Sequence, residues 1–306
     1  MAVDTPQHSA VAAPLAYRSA TALAAGHLVR VPLGRREVLG VVWGAGRDTA
    51  GVELKPVATV FEGLPPLPAR WRETVAFAAR YYQRGIGELA VSVLPPELRS
   101  VDQASLARRL TRTLARAGPG VAIGSPSLPV DLNPAQREAV AALCEALADA
   151  APKPFLLQGV TGSGKTEVYL HAVAAALERG AQVLMLVPEI NLTPQLEARV
   201  AERFPGRRLV AMHSALTPAQ RLSAWLLALL GRADIVLGTR LAVFAPLPRL
   251  GLVVVDEEHD PSYKQQEGAR YSARDLAVYR AHIERVPVVL GSATPSLESW
   301  QHAERG

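Results

Sequence analysis

The sequence is short of several things, and each shortage removes a class of protein. One cysteine, Cys144, stands among 306 residues. It cannot close an internal disulfide, and alone it cannot hold a zinc ion. It falls in an Ala-rich helical stretch and reads as a small core residue. There is no apolar run of about 18 residues, so no transmembrane helix is expected. The opening stretch MAVDTPQHSAVAAPL carries an acid and lacks an apolar core, so it is not a secretory signal. The expected location is cytoplasmic, with no membrane partner. Aromatic residues reach only 5%, yet hydrophobic residues reach 49%, enough for a real core in a chain long enough for two domains. The basic excess is small: 33 Lys and Arg against 28 Asp and Glu, a net charge of +5. That permits a nucleic-acid partner without requiring one.

What the sequence does have is Gly159-Val160-Thr161-Gly162-Ser163-Gly164-Lys165-Thr166. Every fixed position of the G-x-x-x-x-G-K-[ST] phosphate-binding loop (P-loop) is filled. Phe155-Leu156-Leu157 before it reads as a buried strand, and Glu167 to Glu178 after it as a helix closed by Arg179 and Gly180. Glycines let backbone N–H groups approach phosphates without Cβ interference, and the helix N-terminus adds partial positive charge. Lys165 would reach the β- and γ-phosphates of ATP, and Thr166 would hold Mg²⁺.

The chain ahead of this loop divides into stretches. Leu28–Leu33 and Val38–Trp43 read as a β-hairpin around Gly34-Arg35-Arg36-Glu37, with a strand within Val52–Phe61 and a helix over Pro66–Arg84. Arg30, Arg35, Arg36, Arg47 and Lys55 make the hairpin side basic, as a nucleic-acid face or as a solvated strand face. Residues 101–130 read as a linker. A helix over Ala104–Ala117 carries Arg108, Arg109, Arg112 and Arg116, which either track phosphates or face water. Gly118-Pro119-Gly120 and the cluster Ser125–Pro129 break it.

From Leu132 onward helices alternate with apolar runs at Val183–Val187, Leu209–Met212, Ile235–Leu237, Leu252–Val255 and Val288–Leu290. That pattern predicts an α/β fold, a parallel sheet covered on both faces: a P-loop NTPase (RecA-like) lobe. The fourth run ends in Asp256-Glu257-Glu258-His259. Asp256 is placed to hold Mg²⁺, and Glu257 to orient or deprotonate an attacking water. The last run leads into Gly291-Ser292-Ala293-Thr294-Pro295, small hydroxyl residues at a strand end that can sense a γ-phosphate.

Phosphate loop, DEEH (a DEAH-like box) and SAT in this order resemble a superfamily 2 helicase. Tyr263–Gly268, Arg270-Tyr271 and Arg274–Ala281 resemble more specifically the PriA family of replication-restart 3′-to-5′ DNA helicases, as do Val187–Ile190, His213-Ser214, Gly238-Thr239-Arg240 and Val29–Gly34. The resemblance implies a β-rich 3′-end DNA-binding domain over residues 1–100, a linker over 101–130 in place of the family's winged helix, and a first ATP-binding lobe over 131–306. It implies ATP and Mg²⁺ as cofactors, with Gln136 reading adenine and His259, Ser292 and Thr294 coupling nucleotide state to DNA. Thr239 and Arg240 would touch the strand's backbone. Lys264, Arg270 and stacking by Tyr263 and Tyr271 would add DNA contacts, with simple packing the lesser alternative for both rings. Ala269 stands where the family carries a Trp. Tyr17, Gly34 and Lys55 match the pocket that captures a nascent 3′ end, with Ala16 where the family has an acid. The implied partners are forked and single-stranded DNA, other primosome proteins and single-strand-binding protein. The chain is expected to lack the family's second lobe, its arginine finger and its zinc module, so that alone it hydrolyses ATP poorly. The rivals are another superfamily 2 translocase acting on RNA or duplex, and a non-catalytic fork-binding adaptor.

Overall fold

The structure, a computed structural model, describes residues 1–5, 14–46, 51, 53–116 and 131–305. In the N-terminal part β2 (Leu28–Leu33) and β3 (Arg36–Val41) form an antiparallel hairpin with Leu33 opposite Arg36. The expected four-residue turn is therefore only Gly34 and Arg35. Gly34 at φ +62° takes the left-handed first position that lets a two-residue turn follow the right-handed strand twist. β1 (Ala2–Val3) and β4 (Thr59–Val60) flank the hairpin in the order β1-β3-β2-β4. Of the strand expected within 52–61 only β4 forms. Pro56, which has no N–H to give a ladder, makes just an isolated bridge with Arg18. Arg47 and Val52 lie outside the described residues.

α1 (Ala69–Tyr81) starts three residues later than expected. Pro68 holds Leu67 extended and cannot itself donate. α2 (Ile86–Ser92) had no clear periodic signal. Its Gly87 lies against β1, where a Cβ would sit 1.8 Å from the Val3 carbonyl oxygen. α3 (Gln103–Arg116) forms as expected, while the two breaker clusters within 117–130 lie outside the described residues.

The rest alternates: α4 (Pro134–Ala146), β5 (Phe155–Gln158), α5 (Lys165–Glu178), β6 (Gln182–Leu186), α6 (Pro194–Arg203), β7 (Leu209–Met212), α7 (Pro218–Leu229), β8 (Ile235–Gly238), β9 (Leu250–Val255), α8 (Ala273–Glu284), β10 (Val288–Ser292) and α9 (Leu297–Arg305). The six strands form one parallel sheet in the order β5-β10-β9-β6-β8-β7. Strand side chains alternate, so one sheet feeds two cores. Val183, Met185, Leu252 and Val254 pack with α5, while Leu184, Leu186, Val253 and Val255 pack with α7 and α8.

The second of these cores does not stop at the sheet's helices. Leu28, Leu39, Val41 and Trp71 belong to it. Trp71, 1% exposed, donates from Nε1 to the Phe244 carbonyl at 2.7 Å, and Phe77 stacks on Tyr279 of α8. α3 rests on α7, with Thr113 Oγ1 3.2 Å from Ser223 Oγ. Arg109, Arg112 and Arg116 stay on the rim of the adjoining groove of about 670 Å³. Among the described residues no helix is long and apolar enough to cross a membrane.

Candidate nucleotide and nucleic-acid site

Every strand of the parallel sheet ends at the same edge, and the candidate residues gather there. α4 begins with a capping box: Asn133 Oδ1 accepts from the Gln136 amide, and Gln136 Oε1 accepts from the Asn133 amide at 2.8 Å. Gln136 Nε2 donates to the Ser163 carbonyl at 2.8 Å, so the same side chain braces the phosphate loop. Gly164 caps α5 at φ +85°, and a Cβ there would lie 2.3 Å from Gln136 Nε2. Val160, Thr161 and Gly162 are exposed at the loop tip. Thr166, in the first turn of α5, carries one of the amides that no helix satisfies internally. Lys165 is buried. Its Nζ donates to the Gly159 carbonyl at 2.8 Å and lies 3.7 Å from Glu257 Oε1.

The three acids after β9 receive three different surroundings. Glu257 adopts φ +46°, a conformation that costs a non-glycine residue about 1 kcal/mol or more. Asp256 lies beside Tyr169, whose hydroxyl donates to Asp256 Oδ1 at 3.1 Å. Burial, and next the Glu257 charge, push the Asp256 carboxyl above the usual carboxylate range, against the Tyr169 bond and Lys165. Glu257 faces Lys165 and His259. Glu258 is buried. It accepts from the Ser296 amide at 2.7 Å, from Ser299 Oγ at 2.9 Å and from Arg274 Nη1 at 3.1 Å. His259 Nδ1 is 2.7 Å from Ser292 Oγ, which also accepts from the Thr294 amide at 3.0 Å. Motif by motif, the sequence reading placed Asp256, Glu257, His259, Ser292 and Thr294 here. It missed Tyr169, Glu258, Arg274 and Ser296. The third acid of DEEH was a visible signal for Glu258, but nothing local announces its partners.

The residues present suit a magnesium–polyphosphate group. A buried ammonium lies 3.7 Å from the Glu257 carboxylate, and the partly buried Asp256 carboxyl beside them is held toward its neutral form by burial and by the Glu257 charge, which a cation there would offset. Among the described residues no cluster of three or more metal-ligating side chains occurs. Mg²⁺ needs none, since it takes one or two protein oxygens plus phosphate oxygens and waters.

Beyond the ends of β7 and β8 a cleft of about 520 Å³ is lined by Thr239, Arg240, His213, Ser214, Gln265 and Tyr271, among others. Arg240 donates to the Ser262 carbonyl at 3.3 Å, and Thr239 is buried. Lys264 and Arg270 are exposed. The two tyrosines expected to stack on bases are packing residues here. Tyr263 is 2% exposed and donates to the Asp256 carbonyl at 2.6 Å; Tyr271 is 5% exposed, edge-on to Phe244 at 5.2 Å. Both are core aromatics that found a partner for the hydroxyl or the ring edge, the usual outcome for a buried Tyr.

At the other end of the chain Tyr17 donates to the Pro32 carbonyl at 3.0 Å, two residues before Gly34. The Lys55 carbonyl accepts from the Arg18 amide at 3.0 Å. Tyr17 and the Lys55 carbonyl are thus tied to neighbouring backbone, and Gly34 and Lys55 are exposed.

A parallel sheet with a phosphate loop at its first strand and an acid pair on an inner strand defines a P-loop nucleotide-binding lobe. The family profile described as DEAD/DEAH box helicase matches residues 133–302, more than half of the chain. The chain belongs to that family, and helicase domains of this kind use nucleotide and Mg²⁺. The profile described as the 3′ DNA-binding domain (3′BD) of PriA matches residues 1–95. The chain is similar to the replication restart protein PriA of Treponema pallidum, 37% identical over 291 residues covering 92% of this chain and 41% of that protein. PriA of Rickettsia felis is 36% identical over 284 residues, covering 92% and 40%, and PriA of Bacillus subtilis 45% identical over 178 residues, covering 58% and 22%. The resemblance to PriA is borne out. The chain spans well under half the length of these relatives.

Proposed function

We propose that this chain is the DNA-capturing and first ATP-binding portion of a PriA-like 3′-to-5′ DNA helicase that restarts replication at stalled forks. The observation that supports it most is the meeting of Lys165, Asp256 and Glu257 at one edge of the sheet, in a chain whose first 95 residues match a 3′ DNA-binding domain. Residues 1–100 act as the capture domain, 101–130 as linker and 131–306 as the lobe. ATP binds at Gly159–Thr166, with Gln136 on the adenine. Lys165 leaves the Gly159 carbonyl and Glu257 for the phosphates, which frees Glu257 to orient water. Thr166 and Asp256 hold Mg²⁺, which when bound neutralises charge developing on the phosphates. His259, Ser292 and Thr294 relay nucleotide state. Single-stranded DNA lies in the cleft at Thr239 and Arg240, with Lys264 and Arg270 reaching phosphates. Tyr17, Gly34 and Lys55 receive the 3′ end. Cytoplasmic location, the other primosome proteins, single-strand-binding protein and a zinc module elsewhere in the intact protein follow the PriA resemblance.

An arginine from a partner lobe contributes about 10³–10⁵-fold to such hydrolysis. The 306-residue polypeptide assayed alone is therefore expected near background. The deciding experiment pairs DNA-stimulated ATPase of the chain and of Lys165→Ala with titration of forks bearing or lacking a nascent 3′ end. Tighter binding of the fork with the 3′ end supports the reading. Equal binding of both forks, or of RNA and forked DNA, overturns it. Brisk hydrolysis dependent on Lys165 would mean that copies of the chain complete each other's site.

A further inference from the structure

The phosphate-loop helix grips Asp256 directly, through a residue outside every motif. Tyr169 lies four positions after Lys165 on α5, one turn along the same helix face. These two side chains address neighbouring acids at the end of β9: Lys165 lies 3.7 Å from Glu257 Oε1, and the Tyr169 hydroxyl donates to Asp256 Oδ1 at 3.1 Å. Tyr169 is 1% exposed, so the hydroxyl has no water to exchange for this acceptor. The strand next to β9 is shaped for it. A Cβ on Gly291 would lie 1.4 Å from the Tyr169 hydroxyl oxygen and 2.6 Å from the ring carbon that bears it. Any other residue at 291 would drive the phenol off the carboxylate. The backbone of the same aspartate is held from the far side, where the Tyr263 hydroxyl donates to the Asp256 carbonyl at 2.6 Å.

We propose that Tyr169 is a positioning residue for the magnesium ion: its hydroxyl fixes Asp256 through Oδ1 and leaves the second carboxylate oxygen for the cation, and Gly291 makes the room this requires. The inference rests on the reading of Asp256 as the magnesium ligand. Hydrogen bonds that orient a ligating carboxylate typically change metal affinity by about 10–100-fold when removed. Tyr169→Phe deletes one oxygen and keeps the ring in place.

The test is binding of a fluorescent ADP analogue to the 306-residue chain, titrated with MgCl₂ and repeated in EDTA, for the wild type, Tyr169→Phe, Gly291→Ala and Asp256→Asn. Tyr169→Phe is expected to raise the half-maximal Mg²⁺ concentration by about tenfold or more while leaving affinity in EDTA unchanged. Gly291→Ala is expected to shift it in the same direction. If Asp256→Asn abolishes the magnesium response and Tyr169→Phe titrates like the wild type, the positioning role is wrong and the ligand assignment stands. If Asp256→Asn keeps the full magnesium response, the ligand assignment fails and the inference with it. Equal weakening of Tyr169→Phe in EDTA and in Mg²⁺ would place Tyr169 in the nucleotide pocket instead and overturn the proposal.

Discussion

At the edge of the parallel sheet, Lys165 and Asp256 come from two continuous stretches, each a strand followed at once by its functional residues. At the tip of the N-terminal sheet, Tyr17, Gly34 and Lys55 come from three separate segments joined by a few hydrogen bonds to backbone. The first arrangement writes its chemistry into local spacing, because a parallel strand delivers its next residues to the same edge whatever lies between. The second writes nothing local, because its geometry exists only once the segments meet. Both regions nevertheless share one core, in which Leu28, Leu39 and Trp71 pack with Leu184 and Val253.

That shared core gives the largest predicted effect. Trp71→Ala empties a site 1% exposed and orphans the Phe244 carbonyl. It should cost about 3–5 kcal/mol of stability. Denaturant unfolding followed by circular dichroism and by loss of nucleotide-analogue binding should move together. If only the circular dichroism signal from the N-terminal region shifts, the two regions fold independently and the comparison is between two domains rather than two ends of one core.

The next effect sits wholly at the nucleotide edge. Glu258→Ala leaves the Ser296 amide without its acceptor and the partly buried Arg274 guanidinium with only the exposed Asp275 carboxylate and Ser296 Oγ. Removing one member of a buried charged network costs about 3 kcal/mol, read as a lower denaturation midpoint. Glu258→Gln, which keeps the shape, should recover part of it. An unchanged midpoint for Glu258→Ala would show that the tie between DEEH and the SAT segment carries no stability.

How far the sequence led can be judged from these same residues. The strands were legible because both faces of each are buried, which turns them into uninterrupted apolar runs such as Leu252–Val255. Lys165, Asp256 and Glu257 were legible because chemistry demands those residue types at fixed spacing. α2 was not, since seven residues give little room for a helical period and Gly87 interrupts it for the sake of β1. The burial of Tyr263 and Tyr271 was not either. An exposed stacking ring and a core ring share one composition, and only their surroundings separate them. Tyr169 and Glu258 work through partners far along the chain, at Asp256 and Ser296, and spacing carries no trace of that.

Gln136 is a residue the motif order supplies, and the fold holds it from two sides. Both ends of its amide are engaged, one by the Asn133 amide and one by the Ser163 carbonyl. Gln136→Ala should cost about 1 kcal/mol through the lost cap alone. If Gln136 also reads adenine through its remaining N–H, the variant should in addition lose preference for adenine over guanine diphosphate analogues. A stability loss with unchanged base preference would make Gln136 a brace and not a reader.

The smallest effect tests the end that the sequence described least. Tyr17→Phe removes only the donor to the Pro32 carbonyl, a half-buried bond worth about 0.5–1.5 kcal/mol. That bond fastens the segment before Arg18 to the hairpin, and Arg18 in turn holds the Lys55 carbonyl. Loosening it should blur the spacing between the hairpin tip and Lys55 without touching the phosphate loop. Fork titrations should then show a loss of a few-fold confined to the substrate with a nascent 3′ end, while nucleotide-analogue binding stays at the wild-type value. Lys55→Ala removes a cation instead of a spacer, so its loss should appear on both forks and fade with salt, as contacts to phosphate do. Were Tyr17→Phe to weaken both forks equally, the three segments would form a general basic surface, and the contrast between a written site and an assembled one would shrink to a contrast between a pocket and a patch.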